Sequence, residues 1–371
     1  MKIVFTGGGT GGHIFPLVAV VREIRNLYPK KDLQFIYIGP EDEFGSLLLA
    51  QEDIKVKKIA GGKVRRYFSF LNVIDILFKI PWSFIQSFFL LMRIDPQLVF
   101  SKGGSGSVPV ALCASLLRIP VFIHESDVVP GASNRIASRW AKRIFISFPR
   151  TEFFDPEKVT LVGNPIRSEI LGGSKDEATD LFDLTLKKPV LLFSGGSQGA
   201  EAINDFVLRV LNGLLESFEV IHLCGFNNLK NVQNEAQVII NADLEKYYHP
   251  YAFLDEEKLR HAYRAAELVI SRAGSGCIFE IAALGLPSIL VPLPWAAGDH
   301  QARNAFVYAE TGAAIVMEQD NLTPNFFLEK VRYLFAKSGG LDQMKEQAIR
   351  FAKPLAAKAI ARNILEYLTL E

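Results

Sequence analysis

No sign of charge dominates this chain, no cysteines stand at metal or redox spacing, and no apolar run is long enough to cross a bilayer. Its 371 residues carry 41 Lys and Arg against 40 Asp and Glu, a formal net charge of +1. Without a basic excess there is no global field to hold a nucleic-acid backbone. The three cysteines, Cys113, Cys224 and Cys277, are far apart, and none belongs to a Cys-x-x-Cys pair. Neither a disulfide framework nor a cysteine zinc site is expected, and a reducing cytosol is the expected compartment. Met1-Lys2-Ile3-Val4-Phe5-Thr6 runs straight into glycines, without the longer apolar core of a signal peptide. Phe70 to Ile94 is apolar but is interrupted by Asp75, Lys79 and Pro81. Its longest uncharged stretch, Ile80 to Met92, falls short of the ~20 residues that span a membrane, so no span is expected.

What the chain does have is a globular balance, 49% hydrophobic and 22% charged, and a length that fits two domains. Short apolar runs alternate with helix-period segments. Ile3-Val4-Phe5, Phe35-Ile36-Tyr37-Ile38, Leu98-Val99-Phe100, Val121-Phe122-Ile123 and Arg143-Ile144-Phe145-Ile146 read as buried strands. A second series holds Pro189 to Phe193, Val220 to Leu223, Leu268-Val269-Ile270 and Ser288 to Val291. Between them, Ile203, Phe206, Val207, Val210, Leu211 and Leu214 form a one-sided helical stripe. The order predicts an α/β chain of two Rossmann-like, doubly wound domains with parallel sheets. The expected division is 1–162 and 163–349, with a linker between Thr160 and Lys188. A helical segment from Met344 to Glu371 is expected to pack back on the first domain from about residue 350.

Three glycine-rich turns follow strands. They are Gly7 to His13, Lys102-Gly103-Gly104-Ser105-Gly106, and Gly195-Gly196-Ser197-Gln198-Gly199-Ala200. Glycine lets the backbone approach a ligand closely, and the helix N-terminus behind each turn suits phosphate. Gly7-x-Gly9-x-x-Gly12 also satisfies the dinucleotide fingerprint, with Glu41 where a ribose-binding acid would sit, so a nicotinamide or flavin oxidoreductase is a real alternative. A Walker-type ATPase is excluded, because His13 stands where its Lys should follow Gly12. Three turns over two such domains point to two carboxyl-edge crevices facing a central cleft, suited to a diphosphate donor and a separate acceptor. Further along, Ser275 to Glu280 forms a turn and helix start, with Glu280 expected in the first helical turn. There it would either accept hydrogen bonds from a ribose or merely compensate the helix dipole. The segment Pro292 to Gln301 places a polar cluster after a buried strand.

Gly8-Gly9-Thr10-Gly11-Gly12-His13, Lys102-Gly103-Gly104, His124-Glu125, Gly163-Asn164-Pro165-Ile166-Arg167, Gly195-Gly196-Ser197-Gln198-Gly199-Ala200 and His300-Gln301-x-x-Asn304-Ala305 occur in that order. Together, from Lys2 to about Leu365, they resemble the MurG family, which adds N-acetylglucosamine to lipid I in peptidoglycan synthesis. The resemblance implies a GT-B glycosyltransferase fold. It implies UDP-N-acetylglucosamine as donor and an undecaprenyl-diphosphate-linked muramyl peptide, lipid I, as acceptor. Carried over by position, Thr10, Gly11, Gly12 and Asp127 would contact the donor. Arg167 and Ser197 would hold its nucleotide part, and Leu254 would meet uracil through its backbone. Ser275, Gly276, Cys277, Ile278, Phe279 and Glu280 would bind diphosphate and ribose, and His300 and Gln301 would read the sugar hydroxyls. The sequence departs from the family at two places. Ser126-Asp127 replaces the usual Gln-Asn, so position 127 accepts hydrogen bonds but cannot donate them. Ser105 replaces the usual aromatic after Gly103-Gly104.

The implied reaction is an inverting displacement in which the 4-hydroxyl of the muramyl sugar attacks C1 and UDP leaves. His13 and Glu125 are both candidates for the general base. No carboxylate–histidine cluster points to a metal, and no cofactor is expected. A lipid-linked acceptor requires a peripheral site at the cytoplasmic face of the membrane. Lys55, Lys57, Lys58, Lys63, Arg65 and Arg66 precede the apolar stretch with Phe68, Phe70, Leu77, Phe78, Ile80, Trp82 and Phe84. Arg135, Arg139, Lys142, Arg143 and Arg150 add a second basic segment, and both suit an anionic surface. The competing expectation is a core helix, with much of Ile85 to Met92 buried. Acceptor-side residues would include Lys63, Arg65, Arg66, Gly103, Gly104 and Ser105. Alternatives are another GT-B lipid glycosyltransferase, such as one acting on diacylglycerol, and a nucleotide-sugar-binding protein without turnover.

Overall fold

A computed structural model describes residues 1–8, 11–29, 32–62, 75–149, 153–196 and 199–370. Contacts divide the chain into two units, Met1–Arg167 with Lys353–Glu371, and Ser168–Ala352. The first holds strands β1 (Lys2–Thr6), β2 (Gln34–Gly39), β3 (Lys55–Lys58), β4 (Leu98–Ser101), β5 (Val121–Glu125), β6 (Arg143–Ile146) and β7 (Val159–Leu161). All pairings are parallel, in the order β3-β2-β1-β4-β5-β6-β7. Ile3, Phe5, Phe35, Tyr37, Phe100, Phe122 and Phe145 face one core, while Val4, Ile36, Ile38, Val99, Ile123 and Ile144 face the other. Burial on both faces explains why these strands read as unbroken apolar runs rather than as alternation.

The first helix, α1 (Gly11–Leu27), buries Leu17, Val18, Val21 and Ile24. The expected C-terminal helix is two, Gly340–Phe351 and Ala356–Leu370, parted near Pro354. Proline removes a helical N–H and disfavours helix at the residue before it, so the break falls where the chain changes unit. The last helix puts Ala357, Ile360, Ala361 and Ile364 into the core shared with α1. Tyr367 meets Phe122 edge-on at 5.2 Å.

The second unit repeats the theme with β8 (Val190–Ser194), β9 (Glu219–Leu223), β10 (Tyr248–Tyr251), β11 (Ala266–Ser271), β12 (Ser288–Leu290) and β13 (Ala314–Val316), ordered β10-β9-β8-β11-β12-β13. Helix Glu201–Leu215 buries the whole stripe expected of it. The division lies at Arg167 rather than at 162. Val162 and Gly163 still donate to Ile146 O, at 3.0 and 3.2 Å, and Gly163 O bonds His124 Nε2 at 3.0 Å. The segment expected as linker contains helix Lys175–Phe182, which buries Ala178 and Phe182.

Helix Ile80–Ile94 corrects the burial expected of Ile85 to Met92. Its buried residues are Ser83, Ser87 and Leu91, whereas Ile85, Phe89 and Met92 are exposed. Short serines let that face lie close on helix Ser107–Leu116, while Phe84, Phe88, Leu90 and Ile94 pack partly against the core and Ile85, Phe89 and Met92 point outward.

Candidate active site

In each sheet the strand order reverses once, between β1 and β4 and between β8 and β11. Such a switch point splays the connections apart and leaves a crevice at the carboxyl ends. The two glycine turns of the first unit leave β1 and β4 there. Tyr37 Oη, on β2, donates to Gly7 O at 3.0 Å and fixes the first turn from below, a role the sequence reading missed. The second turn has positive φ at Gly103 (85°) and Gly104 (91°). A Cβ on Gly104 would sit 2.6 Å from Gly8 N, so the two turns touch backbone to backbone. Ser107 Oγ closes the second turn onto Gly104 O at 2.8 Å. Ser105 is exposed at its tip.

Gly11, Gly12 and His13 open α1, with Gly12 exposed and nothing within 4 Å of where its Cβ would stand. Burial and the nearby Lys102 charge hold the His13 imidazole down at about 4, so it is neutral at pH 7. Lys102 itself is 2% exposed and donates to Ser126 Oγ. Burial lowers its amine to about 8, against the raising pull of Glu125 and Asp127.

Glu125 ends β5, 5% exposed. Its Oε1 accepts from Asp127 N at 3.0 Å, and its Oε2 accepts from Gly131 N at 3.1 Å and Asn134 Nδ2 at 2.9 Å. Burial, then the Asp127 charge, push its pKa up, while those donors and Lys102 pull it back. Both oxygens are thus committed to shaping the loop 126–131. Asp127 is half-buried in that loop. His124 is buried with Nε2 on Gly163 O, and burial keeps it neutral. The Arg167 guanidinium lies 4.1 Å over the Phe15 ring of α1, beside the first turn.

In the second unit Gly199 has φ 76°, and a Cβ there would come 2.3 Å from Cys224 O, so the turn after β8 requires glycine. Helix Ser275–Ala283 follows β11 with Gly274 as N-cap and no side-chain cap. Ser275, Gly276 and Cys277 form its first turn, while Ile278 and Phe279 point into the core. Burial raises the Cys277 thiol to about 11, which keeps it protonated. Glu280 lies in the second turn, not the first. The dipole effect fades within one turn, so the dipole-compensating role is overturned. Instead Tyr263 Oη donates to Glu280 Oε2 at 3.3 Å. Leu254 is buried after β10, just before the N-cap Asp255.

His300 and Gln301 begin helix His300–Ala309, and Gln301 Oε1 accepts from Leu293 N at 3.0 Å. That bond leaves the Gln301 amide NH₂ as the end free to donate. Arg272, also missed, anchors the same loop by donating to Val291 O at 3.3 Å and Pro292 O at 3.1 Å. Its signal was an arginine directly after a buried strand. Thr10, Lys63, Arg65, Arg66, Phe68, Phe70, Arg150 and Ser197 lie outside the described residues.

Residues 3–146 match the glycosyltransferase family 28 N-terminal domain, and residues 190–360 match its C-terminal domain. A UDP-N-acetylglucosamine–N-acetylmuramyl-(pentapeptide) pyrophosphoryl-undecaprenol N-acetylglucosamine transferase of Shouchella clausii is 38% identical over 337 residues, 90% of this chain and 91% of that protein. The transferase of the same name from Clostridium tetani is 33% identical over 369 residues, covering 98% and 96%. The crystal structure of Acinetobacter baumannii MurG superimposes with a TM-score of 0.75 at 26% identity, over 98% of this chain and 99% of that one. A UDP-GlcNAc 2-epimerase from Neisseria meningitidis, at TM-score 0.69 and 14% identity over 99% and 100%, shares the fold alone. The oxidoreductase alternative finds no support here, and Glu41, its ribose acid, is exposed and ion-paired with Lys58. The two parallel-sheet units make this a GT-B fold, and the chain belongs to glycosyltransferase family 28 and, within it, to the MurG family of N-acetylglucosamine transferases.

Proposed function

We propose that this chain is an inverting glycosyltransferase that moves N-acetylglucosamine from UDP-N-acetylglucosamine to the 4-hydroxyl of the muramyl sugar of lipid I, giving lipid II. The observation that carries the reading is 33 to 38% identity, over nine-tenths or more of the chain, to enzymes named for that transfer. In the reaction the acceptor oxygen forms a bond to C1 as the C1–O bond to the β-phosphate breaks. The electron pair leaves with UDP, and the hydroxyl proton passes to His13. Glu125 organises the loop 126–131 instead, since both its oxygens are already hydrogen-bonded. In the second unit the uncapped start of helix Ser275–Ala283 supplies N–H groups and a positive dipole end to the diphosphate. Glu280, held by Tyr263, accepts from the ribose hydroxyls. His300 and the Gln301 amide NH₂ face the donor sugar.

A thermal-shift titration tests the donor half. UDP at 100 times its dissociation constant should stabilise the protein by about 2.7 kcal/mol. Glu280→Ala should need ~10-fold or more UDP for the same shift, since it removes two charge-assisted hydrogen bonds. A shift with NAD and none with UDP would overturn the reading. Turnover is read with labelled donor and a lipid I analogue, and absence of labelled disaccharide would leave only nucleotide-sugar binding.

The enzyme meets its lipid-linked acceptor as a peripheral protein, through the outward face of helix Ile80–Ile94 and of the π-helical turn Asp75–Lys79 that leads into it. Phe78, Trp82, Ile85, Phe89 and Met92 recur at spacings of four and three residues, and all are exposed. By length and composition the 18-residue window Leu77–Ile94 is apolar enough to cross a membrane, against the expectation that no run would be. Its other face is held by protein, so it suits an interfacial position rather than a span. Lys55, Lys57 and Lys58 contribute less than the sequence implied. They form the outermost strand β3, where lysines guard a sheet edge, and Lys58 is paired with Glu41. Likewise Arg143 bonds Asn363 and Arg135 covers the Phe153 ring at 4.5 Å. The triple variant Phe78→Ser, Trp82→Ser, Phe89→Ser should lose ~10-fold or more of its partitioning onto phosphatidylglycerol vesicles. Undiminished sedimentation with vesicles would remove this face from the membrane contact.

A further inference from the structure

His222, on β9, is a fully buried imidazole outside the reaction itself. Burial holds it down at about 3, so at pH 7 it is neutral, and one ring nitrogen donates while the other accepts. Its partners decide which. Asn204, buried near the start of helix Glu201–Leu215, donates from Nδ2 to Cys224 O at 2.9 Å. That makes Oδ1 the acceptor, and it lies 3.1 Å from His222 Nε2. Nε2 therefore carries the proton, and Nδ1 accepts from Tyr248 Oη on β10 at 2.8 Å. Burial keeps that phenol protonated. Phenol, imidazole, amide and carbonyl thus hold fixed roles in one direction. The reverse order would set the amide oxygen of Asn204 against the carbonyl oxygen of Cys224. That carbonyl is the one against which Gly199 packs, since a Cβ there would meet Cys224 O at 2.3 Å and Gly225 Cα at 2.9 Å. It also accepts from Asn228 Nδ2 at 2.9 Å, so both its lone pairs are used. Gly199 N closes the turn after β8 by donating to Gly196 O at 3.0 Å, and Asn204 N donates to Ala200 O at 2.9 Å. Asn204 therefore ties the helix that the turn feeds to the carbonyl on which the turn rests.

We propose that Tyr248, His222 and Asn204 are positioning residues for the nucleotide part of the donor. Their one-way hydrogen-bond chain sets where the glycine turn after β8 and the N-terminus of helix Glu201–Leu215 stand at the carboxyl edge of the second sheet. The positioning role rests on the transferase reading, whereas the direction of the chain does not. All three side chains are buried, so they act through the backbone and not by touching the ligand. Without the chain the Cys224 carbonyl loses a donor and the turn loses its fixed seat. Donor binding then weakens, while the chemical step at saturating donor is left alone, because the proton acceptor His13 belongs to the other unit.

Two measurements on the full chain test this. Nitrogen NMR of labelled histidine, with the His222 signals assigned by their loss in His222→Phe, should show Nε2 protonated and Nδ1 bare at pH 7. A proton on Nδ1 would overturn the chain. Calorimetric titration with UDP and steady-state kinetics supply the second. Asn204→Leu should raise the UDP Kd and the donor KM ~5 to 20-fold, with kcat within ~2-fold of wild type. The nearly isosteric His222→Phe should raise both ~3 to 10-fold, and the double variant should be no worse than Asn204→Leu, since members of one network are not additive. Losses that multiply, or an unchanged Kd in the single variants, would overturn the proposal. If Asn204→Leu does not fold, His222→Phe decides alone. Val331→Ala opens a cavity in the same core, in helix Pro324–Ala336 and outside the chain. It should lower the melting temperature and leave the UDP Kd unchanged. An equal weakening of UDP there would assign the effect to lost stability and overturn the positioning role. A wild-type protein that does not bind UDP would instead sink the transferase reading, and the positioning role with it.

Discussion

His13→Ala is expected to lower kcat by ~10² to 10⁴-fold while UDP binding changes by ~2-fold or less. The imidazole sits at the third position of α1, behind two glycines that leave the helix end open. It is neutral because burial and the Lys102 charge both penalise its protonated form. The sign follows directly. Lowering the pH protonates the base and stops the reaction, but only near about 4 in the free enzyme rather than at the usual 6.5. The kcat/KM profile should therefore be flat from above that limit to neutral pH. The acid limb of kcat should lie at higher pH than that of kcat/KM, because a bound diphosphate favours the imidazolium. An unchanged rate in His13→Ala, or an acid limb at 6.5 in kcat/KM, would remove the assignment.

Gly104→Ala should be nearly as damaging, by a different route. At φ 91° an alanine is strained, and its Cβ would lie 2.6 Å from Gly8 N and 2.7 Å from Gly8 Cα. Both neighbours are backbone and cannot rotate away, so one turn must shift relative to the other. Strain of this kind costs ~1 to 3 kcal/mol, and a displacement near 1 Å at a reacting group costs ~10²-fold in rate. Turnover should fall ~10² to 10³-fold, with the UDP-induced thermal shift retained, because Gly104 belongs to the first unit, whereas helix Ser275–Ala283 with Glu280, proposed above to hold diphosphate and ribose, belongs to the second. Gly12→Ala is the contrast. Nothing stands within 4 Å of its Cβ, so its melting temperature should match wild type, and any loss of rate reports on the ligand. A Gly104→Ala enzyme with normal turnover would show that the contact between the turns does not matter.

The strands that pattern reading recovered are the central ones, and β3, β7, β10 and β13, which it passed over, are the four sheet edges. An edge strand has one open flank, is short and keeps polar residues. Lys55-Val56-Lys57-Lys58 and Tyr248-His249-Pro250-Tyr251 therefore carry no buried run to detect. The glycine turns were legible because a backbone at positive φ, packed against another backbone, needs a residue type that stands out in the sequence. Tyr37, Tyr263 and Arg272 were not, since each acts through a partner distant in the chain that only folding brings near.

By itself the sequence determined the parallel two-domain architecture, the glycine turns and the family, because these rest on local periodicity and on motifs read in order. Only the tertiary structure decided the division of labour within the site. It showed that both Glu125 oxygens are occupied, that Glu280 lies beyond the reach of the helix dipole, and that Lys102 stands beside His13. It also turned helix Ile80–Ile94 outward, where periodicity could not tell a core face from an exposed one. A side chain's charge, partners and exposure are set by what packs against it, and that is a property of distant residues brought together by the fold.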